Sequence, residues 1–125
     1  MCKLLWRLWS PTWDFNDATY AQTAVSFENP DFVDVVIHSY RHRFALVPGD
    51  PAVEATEQRL GLRPTISVPA IALYGGDNGV SPMASAERNR HLFTEDFERH
   101  VIPGVGHNVP QEAPREFAEA VLSLS

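Results

Sequence analysis

The chain has 125 residues, enough for one domain of ordinary size. Its 44% hydrophobic and 21% charged residues are the balance of a globular chain, which argues against intrinsic disorder. Ten Lys plus Arg against sixteen Asp plus Glu give a formal charge of −6, leaving no basic excess for a nucleic-acid backbone. The single cysteine, Cys2, rules out an internal disulfide or a thiolate zinc site, and no cofactor or metal motif is present. The apolar stretch Leu4-Leu5-Trp6 is stopped by Arg7 and Pro11, too short for a signal core or a membrane span, so the expected location is the cytoplasm. All three tryptophans (Trp6, Trp9 and Trp13) fall near the start, where natural chains are usually polar. That beginning reads as the middle of something larger.

The first half reads as helices. Residues 2–10 suit a short helix with Leu5, Trp6 and Trp9 on one side, ended by Ser10-Pro11. Asn16 or Asp17 caps a second helix running to about Phe27. Asn29-Pro30 supplies a cap and a first-turn proline for a third, on which Val33, Val36, Ile37, Tyr40 and Phe44 form one stripe expected to be buried. Asp50-Pro51 opens a fourth, with Val53, Thr56 and Leu60 on its inner side and Gly61 as its stop.

The pattern changes near Pro64. Val68 to Tyr74 is a nearly continuous apolar run ending at Gly75-Gly76, as expected of a strand covered on both faces. Ser81-Pro82 opens a helix to about Phe93, Glu98 to Ile102 is a second strand, and a last helix starts near Pro114 with Phe117, Val121 and Leu124 in line. The fold class is therefore α/β, with residues 1–66 a helical part and residues 67–125 a parallel β-α-β-α unit. Two parallel strands cannot stand alone, and no earlier segment reads as a third.

In an open parallel sheet the chemistry gathers beyond the carboxyl ends of the strands. Two loops occupy that edge: Gly75 to Pro82, with Asp77 and Asn78, and Pro103 to Pro110, with His107 directly after Gly104-Val105-Gly106. An acid or amide on one loop can fix the tautomer of an imidazole on the other. His38, His42, His91 and His100 fall on exposed helix faces or a strand and are read as solvated.

Residues from about Val68 to Leu124 resemble the closing section of an α/β-hydrolase. The resemblance rests on the apolar strand, then Gly75-Gly76-Asp77-Asn78-Gly79-Val80-Ser81-Pro82, then Pro103-Gly104-Val105-Gly106-His107. It implies that His107 is the catalytic base and that residues 1–66 are the end of the cap over the active site. Ile37-His38-Ser39-Tyr40-Arg41 further resembles the cap segment of soluble epoxide hydrolases, where a Tyr gives its proton to the epoxide oxygen; this implies that role for Tyr40. In those enzymes an aspartate forms an ester that His-activated water hydrolyses.

Two departures stand out. The family's acid position falls on Asn78, which leaves Asn78, the adjacent Asp77 or an upstream acid as the partner of His107. No Gly-X-Ser-X-Gly or Gly-X-Asp-X-Gly nucleophile elbow occurs in the sequence. The expectation is the C-terminal portion of an epoxide hydrolase-like enzyme, acting on a small epoxide, ester or halide, without nucleic acid or membrane as partner. It would need the N-terminal half of the fold and be inactive without it. A haloalkane dehalogenase or serine ester hydrolase with the same ending is the rival enzyme. A truncated, non-catalytic fragment or pseudoenzyme is the rival without turnover.

Overall fold

The computed structural model describes residues 1–80 and 88–124. These form two compact units: Met1–Asp14 together with Thr65–Ser125, and Phe15–Pro64. The first fourteen residues, grouped above with the helical part, thus pack with the strands instead. Among the described residues no helix is long and apolar enough to cross a membrane.

In the first unit, α1 (Cys2–Trp9) is followed much later by two strands, β1 (Ala70–Gly75) and β2 (Phe97–Ile102). They pair in parallel, from Ala70 opposite Phe97 to Gly75 opposite Ile102. A single parallel bridge, Ile66 with Phe93, extends the pairing outside the strands. Most of the helix expected from Ser81 lies in residues 81–87, outside the described residues, and Arg90–Leu92 form a 3-10 turn. After β2 come a four-residue helix that the sequence did not suggest, α5 (Val109–Glu112), and the expected last helix, α6 (Pro114–Ser123). In its first turn the Glu116 carboxyl is held below the usual range by a backbone hydrogen bond, aided by Arg115.

Burial is concentrated in one place. Val105, Val109 and Ala113 form the core cluster, with Leu73 and Ile102 packed against it. That cluster lies around the loop that carries His107, so the best-packed part of the unit is the part that positions the histidine. β1 is only half-buried along its apolar run, from Ala70 to Tyr74. The expectation of a strand covered on both faces therefore fails, because too little of the described chain packs over the faces of this two-stranded sheet.

The second unit is helical. α2 (Asp17–Ala24) continues into a 3-10 turn, Val25–Glu28, and is followed by α3 (Phe32–Arg43); a second 3-10 turn, Pro51–Val53, leads into α4 (Glu54–Gly61). Asn16 is the cap of α2: its Oδ1 accepts from the Thr19 backbone N–H at 2.8 Å and from the Thr19 hydroxyl at 3.0 Å. Asn16→Ala should cost about 1 kcal/mol in the stability of this unit, read from a urea titration followed by helical circular dichroism. α3 starts two residues later than Asn29-Pro30 suggests, because the Asn29 side chain closes a turn onto the Asp31 N–H instead of capping the helix. Phe27 is a hub of small aromatic contacts, 6.3 Å from Tyr20 and 4.8 Å from Phe32 between ring centroids.

Two further expectations for this unit are corrected. The α3 stripe is not buried: Val33, Ile37, Tyr40 and Phe44 are all exposed, as are Val53 in the 3-10 turn before α4 and Leu60 on α4. Its short helices pack mainly on the 3-10 turns beside them in sequence, so their apolar faces stay open. Nor does Gly61 stop α4. It is the last helical residue, and the left-handed residue after it is Arg63 at φ 52°.

Candidate active site

Two loops leave the same edge of the sheet, as parallel pairing requires. Gly76 N–H donates to the Ile102 carbonyl and Asp77 N–H to the Val105 carbonyl, each at 2.9 Å, which ties the loop after β1 to the loop after β2. Gly104 takes a left-handed conformation at φ 75°, open to glycine at no steric cost, and turns the second loop back over the strand ends. Gly75 permits the close approach of the loops: a Cβ there would collide with the carbonyl oxygens of Gly106 and Val105.

This places Asn78 against His107, with Asn78 Oδ1 3.2 Å from His107 Nδ1. The same oxygen accepts from the Val80 backbone N–H at 2.9 Å. That second bond fixes which end of the amide faces the ring, and it is the oxygen. Nδ1 must therefore carry the proton, which leaves the Nε2 lone pair as the basic site of the neutral imidazole. Asp77, the other residue proposed for this partnership, uses its backbone N–H on Val105, and its exposed carboxylate makes no hydrogen bond among the described residues.

His107 also lines an apolar concavity of about 390 Å³, together with Leu73, Val109, Phe117 and Val121 among others. Trp9 stands edge-on to the imidazole at 5.4 Å between ring centroids. The Trp9 carbonyl accepts from Gly79 N–H at 2.9 Å, so the end of α1 touches the asparagine loop as well.

The residues that sequence reading missed lie beneath the histidine. Ser10 is fully buried, and its hydroxyl donates to Glu112 Oε1 at 2.6 Å while accepting from His107 N–H at 3.0 Å. Glu112 takes three further-reaching duties on its two oxygens: Oε2 accepts from Gly106 N–H at 2.7 Å, and Oε1 accepts from Asn108 N–H at 2.9 Å besides the serine. A hint was present in the sequence. Glu112 stands five residues past His107, within reach of that loop's own N–H groups, but Ser10 is 97 residues away and carried no signal.

Tyr40 lies on α3 in the helical unit and is 49% exposed, so its hydroxyl-bearing ring is available to solvent rather than locked in a core. The remaining histidines are less uniform than expected. His100 pairs with Glu98 at 2.8 Å, and His42 is half-buried against Gly49 and stacked on His38. Among the described residues no group of His, Cys, Asp and Glu is placed to hold a metal ion.

Neither a family model nor a curated protein matches the chain. Among solved structures, it is similar to a Klebsiella pneumoniae subsp. pneumoniae MGH 78578 protein described as a "putative epoxide hydrolase", with 42% identity and a TM-score of 0.91 over 98% of this chain. The likeness is to an epoxide hydrolase-like protein. The match spans 40% of the Klebsiella protein, so this chain corresponds to about two fifths of it. The mixed helix and strand structure with its parallel pair is thus similar in fold to that protein.

Proposed function

We propose that the chain is the C-terminal portion of an α/β-fold hydrolase of the epoxide hydrolase type, residues 15–64 belonging to the cap and residues 1–14 and 65–125 to the catalytic core. The observation that carries this reading is the contact of His107 Nδ1 with Asn78 Oδ1, at the carboxyl edge of a parallel pair, in a chain similar to the Klebsiella protein. The wide exposure of apolar side chains, Leu4, Val33, Val35, Phe44 and Leu122 among them, supports a further stretch of protein packing on it. In this reading the nucleophile comes from that further stretch.

The chemistry follows from the groups present. A carboxylate nucleophile attacks an epoxide carbon, the carbon–oxygen bond breaks, and the leaving oxygen takes the phenolic proton of Tyr40. The product is an ester on the enzyme and a tyrosinate. A water then gives its proton to His107 Nε2 as its oxygen attacks the ester carbonyl, releasing the diol and restoring the carboxylate. The imidazolium then loses its proton to solvent and the tyrosinate takes one up, which restores both groups. Asn78 holds the ring with Nε2 outward throughout, but as a neutral amide it cannot offset the charge of the imidazolium.

The test is a chimera in which this chain replaces the matching two fifths of the Klebsiella protein. It should hydrolyse an aryl epoxide in preference to an activated ester or a haloalkane, and Tyr40→Phe should lower epoxide turnover by about a hundredfold. Faster turnover of the ester, with no response to Tyr40→Phe, would favour the serine ester hydrolase reading. A chimera that folds but turns over none of the three would favour the non-catalytic one.

A further inference from the structure

Glu112 has no part in the reaction just described, yet among the described residues of the first unit it is the most heavily hydrogen-bonded carboxylate. Three donors converge on it: the Ser10 hydroxyl, Gly106 N–H and Asn108 N–H. The last two belong to the residues on either side of His107. The residue between them donates its own N–H to Ser10 Oγ, at 3.0 Å, and Asn108 Nδ2 reaches the same oxygen at 3.2 Å. Three successive backbone N–H groups of the histidine loop are thereby held by one carboxylate and by the one hydroxyl hydrogen-bonded to it.

We infer that Glu112 and Ser10 form a positioning latch that sets where the His107 imidazole stands relative to Asn78. This rests on the reading of His107 as the water-activating base and adds two residues to it. Hydrogen bonds to an ionised acceptor are shorter and roughly twice as strong as neutral ones, so a carboxylate fixes a loop better than an amide or a water would. Ser10 is buried, and the hydroxyl of a serine there can donate to Glu112 while accepting from the loop, which an alanine cannot. The ring contact to Asn78 is 3.2 Å, the long end of a hydrogen bond, so a small shift of the loop breaks it. Ser10 comes directly after Trp9, whose carbonyl holds Gly79 N–H, so one turn of chain fixes both the loop of the base and the loop of its partner.

The test uses the 125-residue chain and needs no turnover. In the unaltered chain, the N–H groups of Gly106, His107 and Asn108 should exchange with deuterium at least about tenfold more slowly than the same sequence unstructured. Nitrogen NMR of the ring should show His107 mainly as the Nδ1–H tautomer. Ser10→Ala and Glu112→Gln should speed the three amides and move the tautomer ratio by about tenfold toward Nε2–H, the equilibrium value of one net hydrogen bond. Glu119→Gln, at an exposed position of α6, should change neither reading. Exchange at the unstructured rate in the unaltered chain would overturn the latch, as would a tautomer ratio that ignores both substitutions while the amides speed up. The exchange comparison stands even if a variant does not fold. A protected loop in a chimera without any hydrolase activity would remove the catalytic reading and leave the latch; an active chimera with an unprotected loop would do the reverse.

Discussion

In the chimera, Asn78→Asp should speed hydrolysis of the ester intermediate by roughly a hundred- to a thousandfold, equivalent to about 3–4 kcal/mol of barrier. In a serine hydrolase triad, exchanging the aspartate for asparagine costs about 10⁴-fold, largely because the amide stabilises the wrong imidazole tautomer. That part of the loss does not apply here. The Val80 N–H turns the Asn78 oxygen toward His107 Nδ1, so the tautomer is already the working one. What the amide lacks is the negative charge that stabilises the imidazolium once water has given up its proton. Attack on the epoxide precedes that step and should change little, so the gain should appear in the decay of the ester. Asp77→Ala should leave the rate nearly unaltered, since that carboxylate makes no hydrogen bond to the ring among the described residues. A loss of ester hydrolysis in Asp77→Ala, with no gain in Asn78→Asp, would make Asp77 the working acid. Asn-Gly steps deamidate, so the mass of the Asn78-Gly79 peptide should accompany each rate.

The second large effect is steric. Gly75 ends β1 where the two loops cross, and a methyl group there meets the carbonyl oxygens of Gly106 and Val105. Neither is the movable tip of a side chain. To make room, the histidine loop must lift, breaking the Asp77-to-Val105 bond and pulling Gly106 off Glu112. Gly75→Ala should therefore destabilise the chimera by about 3 kcal/mol or more, the range of overpacking joined to lost buried hydrogen bonds. Urea unfolding would measure it. Gly61→Ala, where nothing lies within 4 Å, is the matched control and should be neutral or slightly stabilising. Equal midpoints for the two variants would show that the loops do not approach as closely as described.

How much of this was legible in the sequence depends on the range of each interaction. The first strand announced itself, because Val68 to Tyr74 is a nearly continuous apolar run and glycines follow it. Of the two caps offered for α2 it is Asn16 that serves, and Asp50 caps the 3-10 turn ahead of α4 rather than α4 itself; both were legible because a cap is a contact across two or three residues. That His107 faces the loop of Asp77 and Asn78 came from order along the chain plus the rule that parallel strands end on one side, but which of the two meets the ring was left open until the Asn78 contact was seen. Periodicity misled on α3 and α4: it shows which side chains share a face and cannot say whether anything covers that face. The start of α3 failed for a local reason, two competing uses of the Asn29 side chain. Trp9 and Ser10 failed for the opposite one. They reach the site from the far end of the chain, and a buried serine in Trp-Ser-Pro looks like any helix-ending serine until its partners are seen.

The central claim is that His107 activates the water that hydrolyses an enzyme-bound ester, and intact-mass spectrometry tests it most directly. The chimera carrying His107→Gln is mixed with an aryl epoxide and its mass recorded over time. Attack on the epoxide does not need the imidazole, whereas hydrolysis of the ester does. The account predicts that the protein gains the mass of one substrate molecule and keeps it, while the chimera with His107 intact returns to its starting mass. A His107→Gln chimera that gains no mass, or that gains it and sheds it as fast as the chimera with His107, would contradict the account.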